Sequence, residues 1–260
     1  MDADDSTYSL RLASSAEDIT AAQRLRYEVF VAELGGDGPL VDHAARLERD
    51  AYDPFFDHLV LVDNRRDPAG LDHVIGAYRV MPGERRAAAR QFYSESEYDL
   101  TPLLVSGRRL LELGRSCVHA DHRGGAAMFH LWNGLAEYVL ERGIEVLFGV
   151  ASFHGTDIST LAAPLSWLHH HHLAPPEMRV SARPMQRQEM ALIPPDQLDR
   201  KAAMAATPAL IKAYLRLGGF VGDGAWIDRS FNTTDVCLVM DTGRMSARHK
   251  DFYLRKAGAA

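Results

Sequence analysis

The chain has little of several features that mark specialised classes of protein. Two cysteines in 260 residues argue against a disulfide framework and favour a reducing compartment. A net charge of −6 argues against a broad nucleic-acid-binding surface. No apolar run approaches the roughly 18–20 residues of a membrane span, and the acidic start "MDADDSTYS" resembles neither a signal peptide nor a transit peptide. We therefore expect a globular protein of the cytoplasm that binds no nucleic acid.

The composition is that of an ordinary globular protein, with 47% hydrophobic residues available for a core. We predict a single domain over residues 1–260, with a linker or flap at 173–206 and a short C-terminal extension at 241–260. Cys117 and Cys237 lie among apolar residues of strand length, so each is predicted to be a buried structural thiol.

Apolar spacing and turn residues predict a mixed α/β sheet with helices on both faces, in the order β-α-β-β-α-β-α-β-α-α-β-β. Ser15 and Asp18 resemble a capping box ahead of the first helix. The runs "HLVLVD" and "HVIGAYRVMP", joined by a turn-like "NRRDPAG", predict an antiparallel hairpin. A strand over residues 110–120, a helix after it and the strand "IEVLFGVASF" form a βαβ pattern, which predicts a parallel pair.

The strand "ELGRSCVHA" carries two charged groups, Glu112 and Arg115, in an otherwise apolar run. In a regular strand they point to opposite faces. Gly114 between them predicts a bulge, which would shift the phase and free backbone N–H groups near Gly114 to Ser116 for an oxyanion. The alternative is an internal salt bridge that fixes the edge of the strand.

The next stretch, "HADHRGGAAMF", places a basic turn with glycines between a strand and a helix. Such a turn can hold a pyrophosphate on free N–H groups. Its match to the acetyl-coenzyme A loop is imperfect in either alignment. If His122 takes the basic position, the small residues fit but the basic residue is a histidine. If Arg123 takes it, Ala126 and Met128 occupy the positions of the small residues. The alternative is a tight strand-to-helix turn.

The motifs together resemble the GNAT N-acyltransferases, in the branch that uses acyl-carrier protein and includes acyl-homoserine lactone synthases. That branch has an arginine before a Val-Phe pair, as in "LRYEVF", and an acidic series, as in "ERDAYD". "GAYRVMP" and "ELGR" match further charged positions. "LFGVASFHGTD", "LIKAYLRLGG" and "FNTTDVCLVM" are similar to the bacterial L-ornithine Nα-acyltransferases of ornithine-lipid synthesis. The resemblance spans roughly Leu25 to Met240.

The resemblance implies that a 3-hydroxyacyl group passes from acyl-carrier protein to the α-amine of ornithine, with no bound cofactor beyond the carrier's phosphopantetheine arm. Glu112 is then the candidate general base, with Arg115 and Ser116 beside it. The candidate residues for phosphopantetheine are His122, Arg123, Gly124 and Gly125. The candidate residues for the amino acid and the acyl chain are Arg26, Glu48, Asp50, Asp53, Arg79, Phe148 and Phe153. The charged members of that set have an alternative role, which is to pair with one another and hold the first helix to the sheet.

An acidic carrier protein requires a basic docking patch. The candidates are Arg85, Arg86, Arg90, Arg108 and Arg109, and the alternative is a solvated helix face. The run "WLHHHHL" predicts no metal site, because four successive residues on a helix point about 100° apart.

Other functions fit parts of the same sequence. They are N-acylation of another amino acid, ordinary acetyl transfer, homoserine lactone synthesis, and a non-catalytic module that binds carrier protein or membrane. A lipid product has to reach a bilayer, so we expect weak peripheral contact with the inner face of the membrane. "APPEMRVSARPMQRQEM" is the candidate segment, with a mobile surface loop as its alternative.

Overall fold

The computed structural model describes residues 7–124 and 126–244. The strands are β1 (Tyr8–Leu12), β2 (Asp57–Asp63), β3 (Val74–Pro82), β4 (Tyr98–Asp99), β5 (Leu110–Val118), β6 (Val146–His154), β7 (Ser181–Ala182), β8 (Arg187–Gln188), β9 (Phe220–Val221), β10 (Ala225–Asp228) and β11 (Thr233–Asp241). The α-helices are α1 (Ala16–Arg26), α2 (Arg86–Ala89), α3 (Thr101–Leu104), α4 (Ala127–Glu141), α5 (Ile158–His172), α6 (Arg200–Ala206) and α7 (Ala209–Arg216). Within the described residues, no helix combines the length and the apolar character that crossing a membrane requires.

The chain divides into two compact units. Unit 1 contains residues 1–81 and 113–142, and unit 2 contains residues 82–112 and 143–260. The chain crosses from unit 2 to unit 1 within β5, after Glu112. The assignment of residues 1–260 to one acyltransferase domain stays a prediction.

Unit 1 is built on a sheet in the order β1-β2-β3-β5. β1 and β2 are antiparallel, as are β2 and β3, with a register shift between Leu61 and Val62. The predicted hairpin of β2 and β3 is therefore confirmed. β3 is buried along its whole length, which suits a strand that has a neighbour on each edge and layers on both faces.

Helix α1 begins where the sequence predicts. Ser15 caps it by accepting the N–H of Asp18 at 3.2 Å. Its apolar side contributes Ala22 and Leu25 to a core that also contains Val60 and Ala77. Burial of a leucine or valine side chain such as Leu25 or Val60 stabilises the fold by about 1.5–3 kcal/mol. After Arg26 the helix continues as a π-helix over Tyr27–Glu33.

Unit 2 is built on a sheet in the order β5-β6-β11-β10-β8, with β9 also paired to β11. β6 runs parallel to Leu110–Glu112 of β5, so the predicted βαβ pairing is confirmed. β6 and β11 form a continuous antiparallel ladder of nine residue pairs, from Thr233 opposite His154 to Asp241 opposite Val146. This long ladder fixes the face on which each side chain of β11 lies.

The predicted linker over residues 173–206 contains ordered elements, namely β7, β8, α6 and short 3₁₀ turns. Met178 and Met190 are buried, whereas Met185 is 84% exposed. Arg183 and Arg187 are held by contacts within unit 2, including a hydrogen bond of 2.6 Å from Arg183 Nε to the carbonyl oxygen of Glu95. Most of this segment is therefore packed, and one methionine projects from it. Of the predicted extension at 241–260, residues 245–260 lie outside the described part of the chain.

Candidate active site

A buried network of ion pairs dominates unit 1, and we call it the charged cluster. It unites six of the predicted site residues: Arg26, Glu48, Asp50, Asp53, Arg79 and Arg115. Three guanidinium groups face three carboxylates, so the formal charges balance. Buried ions need this pairing, because an isolated charge in a low-dielectric interior is strongly disfavoured.

Two arginines from different elements meet on one carboxylate oxygen. Arg26, at the end of α1, and Arg79, on β3, each donate to Oδ1 of Asp53 at 2.6 Å. Arg26 also pairs with Glu48. Arg79 reaches Asp50 Oδ1 at 2.8 Å. The connection that carries the acidic residues is thereby tied to both the first helix and a central strand.

Arg115 closes the charged cluster on its more exposed side. Its Nε donates to Glu48 Oε1 at 3.2 Å, and its Nη2 lies 3.5 Å from Asp50 Oδ2. The side chains of Arg115 and Asp50 are 13% and 18% exposed, whereas those of Arg26 and Glu48 are 1% exposed. Solvent therefore reaches this edge of the cluster more readily than its interior.

The arginines hold the acids of the cluster in their charged forms. Burial alone would raise the pKa of Glu48, Asp50 and Asp53, but the neighbouring guanidinium charges outweigh it and lower the pKa of all three. Burial likewise opposes the charge of Arg26, yet Glu48 and Asp53 raise its pKa. Burial lowers the pKa of nearby His58, whose Nε2 lies 3.2 Å from the carbonyl oxygen of Asp53.

The backbone of β5 is irregular where the sequence predicts a bulge. Arg115 has a φ of 51°, the left-handed conformation that is uncommon for a residue with a side chain. Gly114 beside it lies close to Arg79, since a Cβ built there would be 3.8 Å from Arg79 Nε. Ser116 Oγ is buried and has no hydrogen-bond partner within the described parts of the chain. The residue with the unusual backbone conformation is therefore Arg115, which directly follows the glycine that predicted the bulge.

Glu112 lies on the unit 2 side of β5 and is 1% exposed. Its two carboxylate oxygens accept the backbone N–H groups of Tyr93 at 2.9 Å and Ser94 at 2.6 Å. Those residues begin a 3₁₀ turn over Tyr93–Ser96. Glu112 thus satisfies donors at the start of a short helical turn, a contact that its sequence position did not reveal.

The turn between β5 and α4 carries the residues predicted for phosphopantetheine. Gly124 has a φ of 77°, which a residue without a Cβ adopts at low cost, and Gly125 lies outside the described residues. Arg123 makes a two-pronged ion pair with Glu33, at 2.6 Å for each contact. His122 Nδ1 lies 3.4 Å from the hydroxyl of Tyr8. The basic charge of Arg123 is therefore already matched by a carboxylate.

The predicted docking arginines differ in how they are used. Arg86 forms an ion pair with Glu95 at 2.7 Å, and Arg108 forms one with Asp241 at 2.7 Å. Arg90 and Arg109 are exposed, and Arg85 is half-buried. Arg86 and Arg108 therefore have structural partners within unit 2. Arg90 and Arg109 are the two exposed members of the set.

Phe148 and Phe153, predicted for the acyl chain, are both buried on β6. The ladder with β11 is regular, and the two residues are separated by an odd number of positions, so they point to opposite faces of the strand. Phe148 packs edge to face on Phe92 with ring centroids 4.9 Å apart. A cleft on one face of β6 can therefore contain only one of these two rings.

The histidine run ends α5. His170 Nε2 lies 2.9 Å from the carbonyl oxygen of Ile193, and the ring of His172 packs against Trp167 at 4.5 Å. Successive residues of a helix point in different directions, so these two rings contact different parts of the chain. The two cysteines are buried, as predicted, and burial raises the pKa of the Cys117 thiol to about 12.

Sequence reasoning missed a second group of acids, in unit 2. Glu97, Asp228 and Asp235 each place a carboxylate oxygen so that these atoms lie within 4.8 Å of one another. They come from the residue before β4, from the end of β10 and from β11. The signal in the sequence was weak, because the three residues are widely separated. Asp235 lies in the family-like segment "FNTTDVCLVM", but that segment does not indicate Glu97 as a neighbour.

Known proteins resemble this chain along most of its length. The sequence model of the acetyltransferase (GNAT) domain matches residues 25–133. The L-ornithine N(alpha)-acyltransferase of Rhodobacter capsulatus is 62% identical over 250 residues, which is 96% of each chain. The protein of that name from Rhizobium meliloti is 40% identical over 252 residues, or 95% of this chain and 84% of the relative.

Solved structures share the fold at low identity. An N-acyl amino acid synthase from uncultured soil microbes has a TM-score of 0.53 at 11% identity, over 91% of this chain and 92% of that one. A CoA-dependent acyl-homoserine lactone synthase has a TM-score of 0.53 at 15% identity, over 96% and 90% of the two chains. The predicted fold is therefore confirmed, and the chain is a GNAT-fold acyltransferase that belongs to the family of the L-ornithine Nα-acyltransferases.

Proposed function

We propose that the protein transfers a 3-hydroxyacyl group from acyl-carrier protein to the α-amine of L-ornithine, giving lyso-ornithine lipid. The observation that carries the proposal is 62% identity, over 96% of both chains, to a relative named for acylation of ornithine at Nα. In the reaction the amine nitrogen forms a bond to the thioester carbonyl carbon, the carbon–sulfur bond breaks, and an amine proton ends on the carrier thiol.

The attack needs a neutral amine and a site for the oxyanion. A free α-amine is largely protonated at neutral pH, so a base has to remove a proton directly or through water. The irregular backbone of β5 at Gly114, Arg115 and Ser116 is our candidate for the donors that stabilise the tetrahedral oxyanion. The buried hydroxyl of Ser116 is a further donor at the same place.

Glu112 is assigned a positioning role in preference to that of general base. Each of its carboxylate oxygens already accepts a backbone N–H, and its side chain is almost fully buried. A base must lie within hydrogen-bond reach of the proton it removes. The contacts of Glu112 instead support a role in holding the turn over Tyr93–Ser96.

The charged cluster is assigned mainly to scaffolding. The acids suggested for the ornithine ammonium, Glu48, Asp50 and Asp53, are all engaged by arginines. The rival role, binding of the ornithine carboxylate, has support from Arg26 Nη2, a buried donor with no acceptor among residues 7–124 and 126–244. Asp50 and Arg115, at the more exposed edge, are the members that a substrate reaches most readily.

Carrier protein is our preferred acyl donor. A coenzyme A donor brings an anionic pyrophosphate, which favours uncompensated positive charge at the turn between β5 and α4. Arg123 of that turn is instead paired with Glu33. A phosphopantetheine arm carries less charge and makes a smaller demand. The exposed Arg90 and Arg109 are the proposed contacts for the acidic carrier.

We place the reaction in the cytoplasm, with weak contact at the inner face of the membrane for release of the product. The exposed Met185 is the candidate for this contact. A single apolar side chain gives only marginal membrane affinity, so the contact would be transient.

The experiment that tests the function incubates purified protein with 3-hydroxyacyl-carrier protein and each of a panel of amino acids. The proposal predicts release of carrier thiol and an N-acyl product with ornithine. A parallel reaction with the same acyl group on coenzyme A tests the donor. Transfer only to another amino acid, or efficient transfer from coenzyme A alone, would overturn the acceptor or the donor assignment respectively.

A further inference from the structure

The three acids that sequence analysis missed form a compact group in unit 2, which we call the acid site: Glu97, Asp228 and Asp235. Glu97 and Asp235 are each 4% exposed, while Asp228 is half-buried. Three carboxylates within 4.8 Å of one another, two of them buried, repel when ionised, and a bound cation relieves that repulsion. Acidic groups alone do not establish a site, so an independent feature is needed.

That feature is the hydroxyl of Thr233. Thr233 lies directly opposite Asp228 in the ladder of β10 and β11, and two residues before Asp235 on β11. Side chains opposite each other, and side chains two apart on one strand, share a face. Thr233 Oγ1 is therefore directed to the same face as both acids. It is buried, and it has no hydrogen-bond partner in residues 7–124 or 126–244, although buried hydroxyls are nearly always bonded.

The surrounding contacts hold the acid site in place. The backbone of Glu97 is fixed by Arg183, whose N–H donates to the Glu97 carbonyl at 2.7 Å. The next residue, Tyr98, donates its hydroxyl to the carbonyl oxygen of Asp235 at 2.9 Å. Asp228 Oδ1 accepts the N–H of Ser230 at 2.8 Å, which orients its carboxylate. A ligand would therefore meet acceptors that are already positioned.

The electrostatics and dimensions suit an ammonium group. Burial raises the pKa of Tyr98 well above its ordinary value, and the charges of Glu97 and Asp235 add to the shift, so the region carries negative potential. An ammonium nitrogen about 2.8 Å from three acceptors in tetrahedral directions holds them about 4.6 Å apart. That spacing falls within the limit of 4.8 Å for the three carboxylate oxygens.

We propose that Glu97, Asp228, Asp235 and Thr233 bind the δ-ammonium group of the amino-acid acceptor. This inference rests on the proposed function and adds a determinant of acceptor specificity to it. The site selects amino acids with a cationic side chain. It also keeps the δ-nitrogen protonated, so that this nitrogen lacks the lone pair needed to attack a thioester.

The test compares ornithine with norvaline, which is ornithine without its δ-amino group. Asp228→Asn and Thr233→Val are the informative variants, because one changes a half-buried carboxylate and the other removes a hydroxyl at nearly constant volume. Asp196→Asn, at an exposed acid in the same unit, is the matched control. Thermal unfolding checks that each variant is folded.

Wild-type protein and the control should prefer ornithine to norvaline strongly in kcat/KM. Asp228→Asn should reduce that ratio at least tenfold, mainly by raising the KM for ornithine, and Thr233→Val should reduce it by severalfold. An unchanged ratio in folded Asp228→Asn protein that still acylates ornithine would overturn the proposal.

Two further results separate this inference from its alternatives. The first result concerns a metal: Mg²⁺, Ca²⁺, Mn²⁺ or Zn²⁺ could bind stoichiometrically in calorimetry. If Asp228→Asn abolishes that binding and EDTA also removes activity, the acid site is a metal site and the proposal fails. If no amino acid is acylated at all, the proposed function fails. The affinities for ornithine and norvaline, measured by calorimetry, then test the inference. Equal affinities, or no binding of ornithine, would overturn it.

Discussion

Arg79 Nη1 donates to Asp53 Oδ1 at 2.6 Å, so a buried strand is fixed to the acidic connection that precedes β2. Arg26 reaches the same oxygen from the end of α1. The two contacts join three segments that are far apart in sequence. We interpret this arrangement as the scaffold of unit 1, on which the irregular segment of β5 is held.

Replacement of Asp53 by Asn should therefore destabilise the protein more than it impairs binding of the acceptor. Removal of one partner from a buried ion pair leaves uncompensated charge and costs about 3–5 kcal/mol. We expect a loss of that order in the free energy of unfolding, measured by urea titration, with the KM for ornithine unchanged. Glu28→Gln, in an exposed pair with Arg46, should cost less than about 1 kcal/mol. A raised KM at unchanged stability would instead assign Asp53 to the substrate.

The charged cluster should also make the protein sensitive to acid. The pKa values of Glu48, Asp50 and Asp53 are lower in the folded protein than in the unfolded chain, because arginines surround them. Folded protein consequently binds fewer protons than unfolded protein near pH 4, so stability is complete above the unfolded pKa values of about 4 and falls as the pH drops through the folded values.

The measurement is the free energy of unfolding between pH 7 and pH 3. Each proton taken up on unfolding contributes a slope of about 1.4 kcal/mol per pH unit, and Asp53→Asn should have a shallower slope than wild-type protein. Stability that stays constant down to pH 3 would be inconsistent with the cluster as described.

Replacement of Glu112 by Gln separates the two roles considered for that residue. An amide would place an N–H group against the backbone N–H of Tyr93 or Ser94 and leave a buried donor unsatisfied, at a cost of about 1–3 kcal/mol. Glu97 of the acid site directly follows this turn, so a distorted turn should displace Glu97 and weaken binding of the δ-ammonium. The KM for ornithine should therefore rise, while kcat changes by only a few fold. Glu84→Gln, at an exposed acid, is the control. A kcat reduced 10²-fold or more with unchanged stability and KM would restore Glu112 as the base.

Charge reversal at Arg90 tests docking of the carrier protein better than the same change at Arg86, because Arg86 is already paired with Glu95. Arg90→Glu should raise the KM for acyl-carrier protein about tenfold at low salt, with a smaller effect at high salt. Activity with a small pantetheine thioester should be unchanged. Arg216→Glu, at an exposed arginine that is not among the five predicted docking residues, makes the same charge change and is the control. An identical carrier-protein KM in the two variants would exclude Arg90 from the docking surface.

The sequence was informative where local patterns determine structure. Ser15 predicted the start of α1, the paired apolar runs predicted the hairpin of β2 and β3, and Gly114 marked the irregularity of β5 to within one residue. The π-helical continuation after Arg26 was not predictable, because helical spacing does not distinguish it from an α-helix. The segment 173–206 read as a linker because its strands are only two residues long.

Candidate chemistry was harder to predict than the fold. The members of the charged cluster were predicted from a family resemblance, whereas their pairing with one another depends on tertiary contacts. The backbone partners of Glu112 lie 18 and 19 positions away and leave no mark on residue types. The acid site was not predicted, because Glu97 and Asp235 are far apart in the sequence and become neighbours only in the folded unit 2.

The position of the acyl group in the product tests the central claim most directly. Protein incubated with 3-hydroxyacyl-carrier protein and ornithine should yield a monoacylated product, and fragmentation by mass spectrometry should locate the acyl group on the α-nitrogen. That result is predicted if the δ-ammonium is held by carboxylates while the α-amine reacts. A product acylated on the δ-nitrogen, or no N-acyl product, would contradict the account.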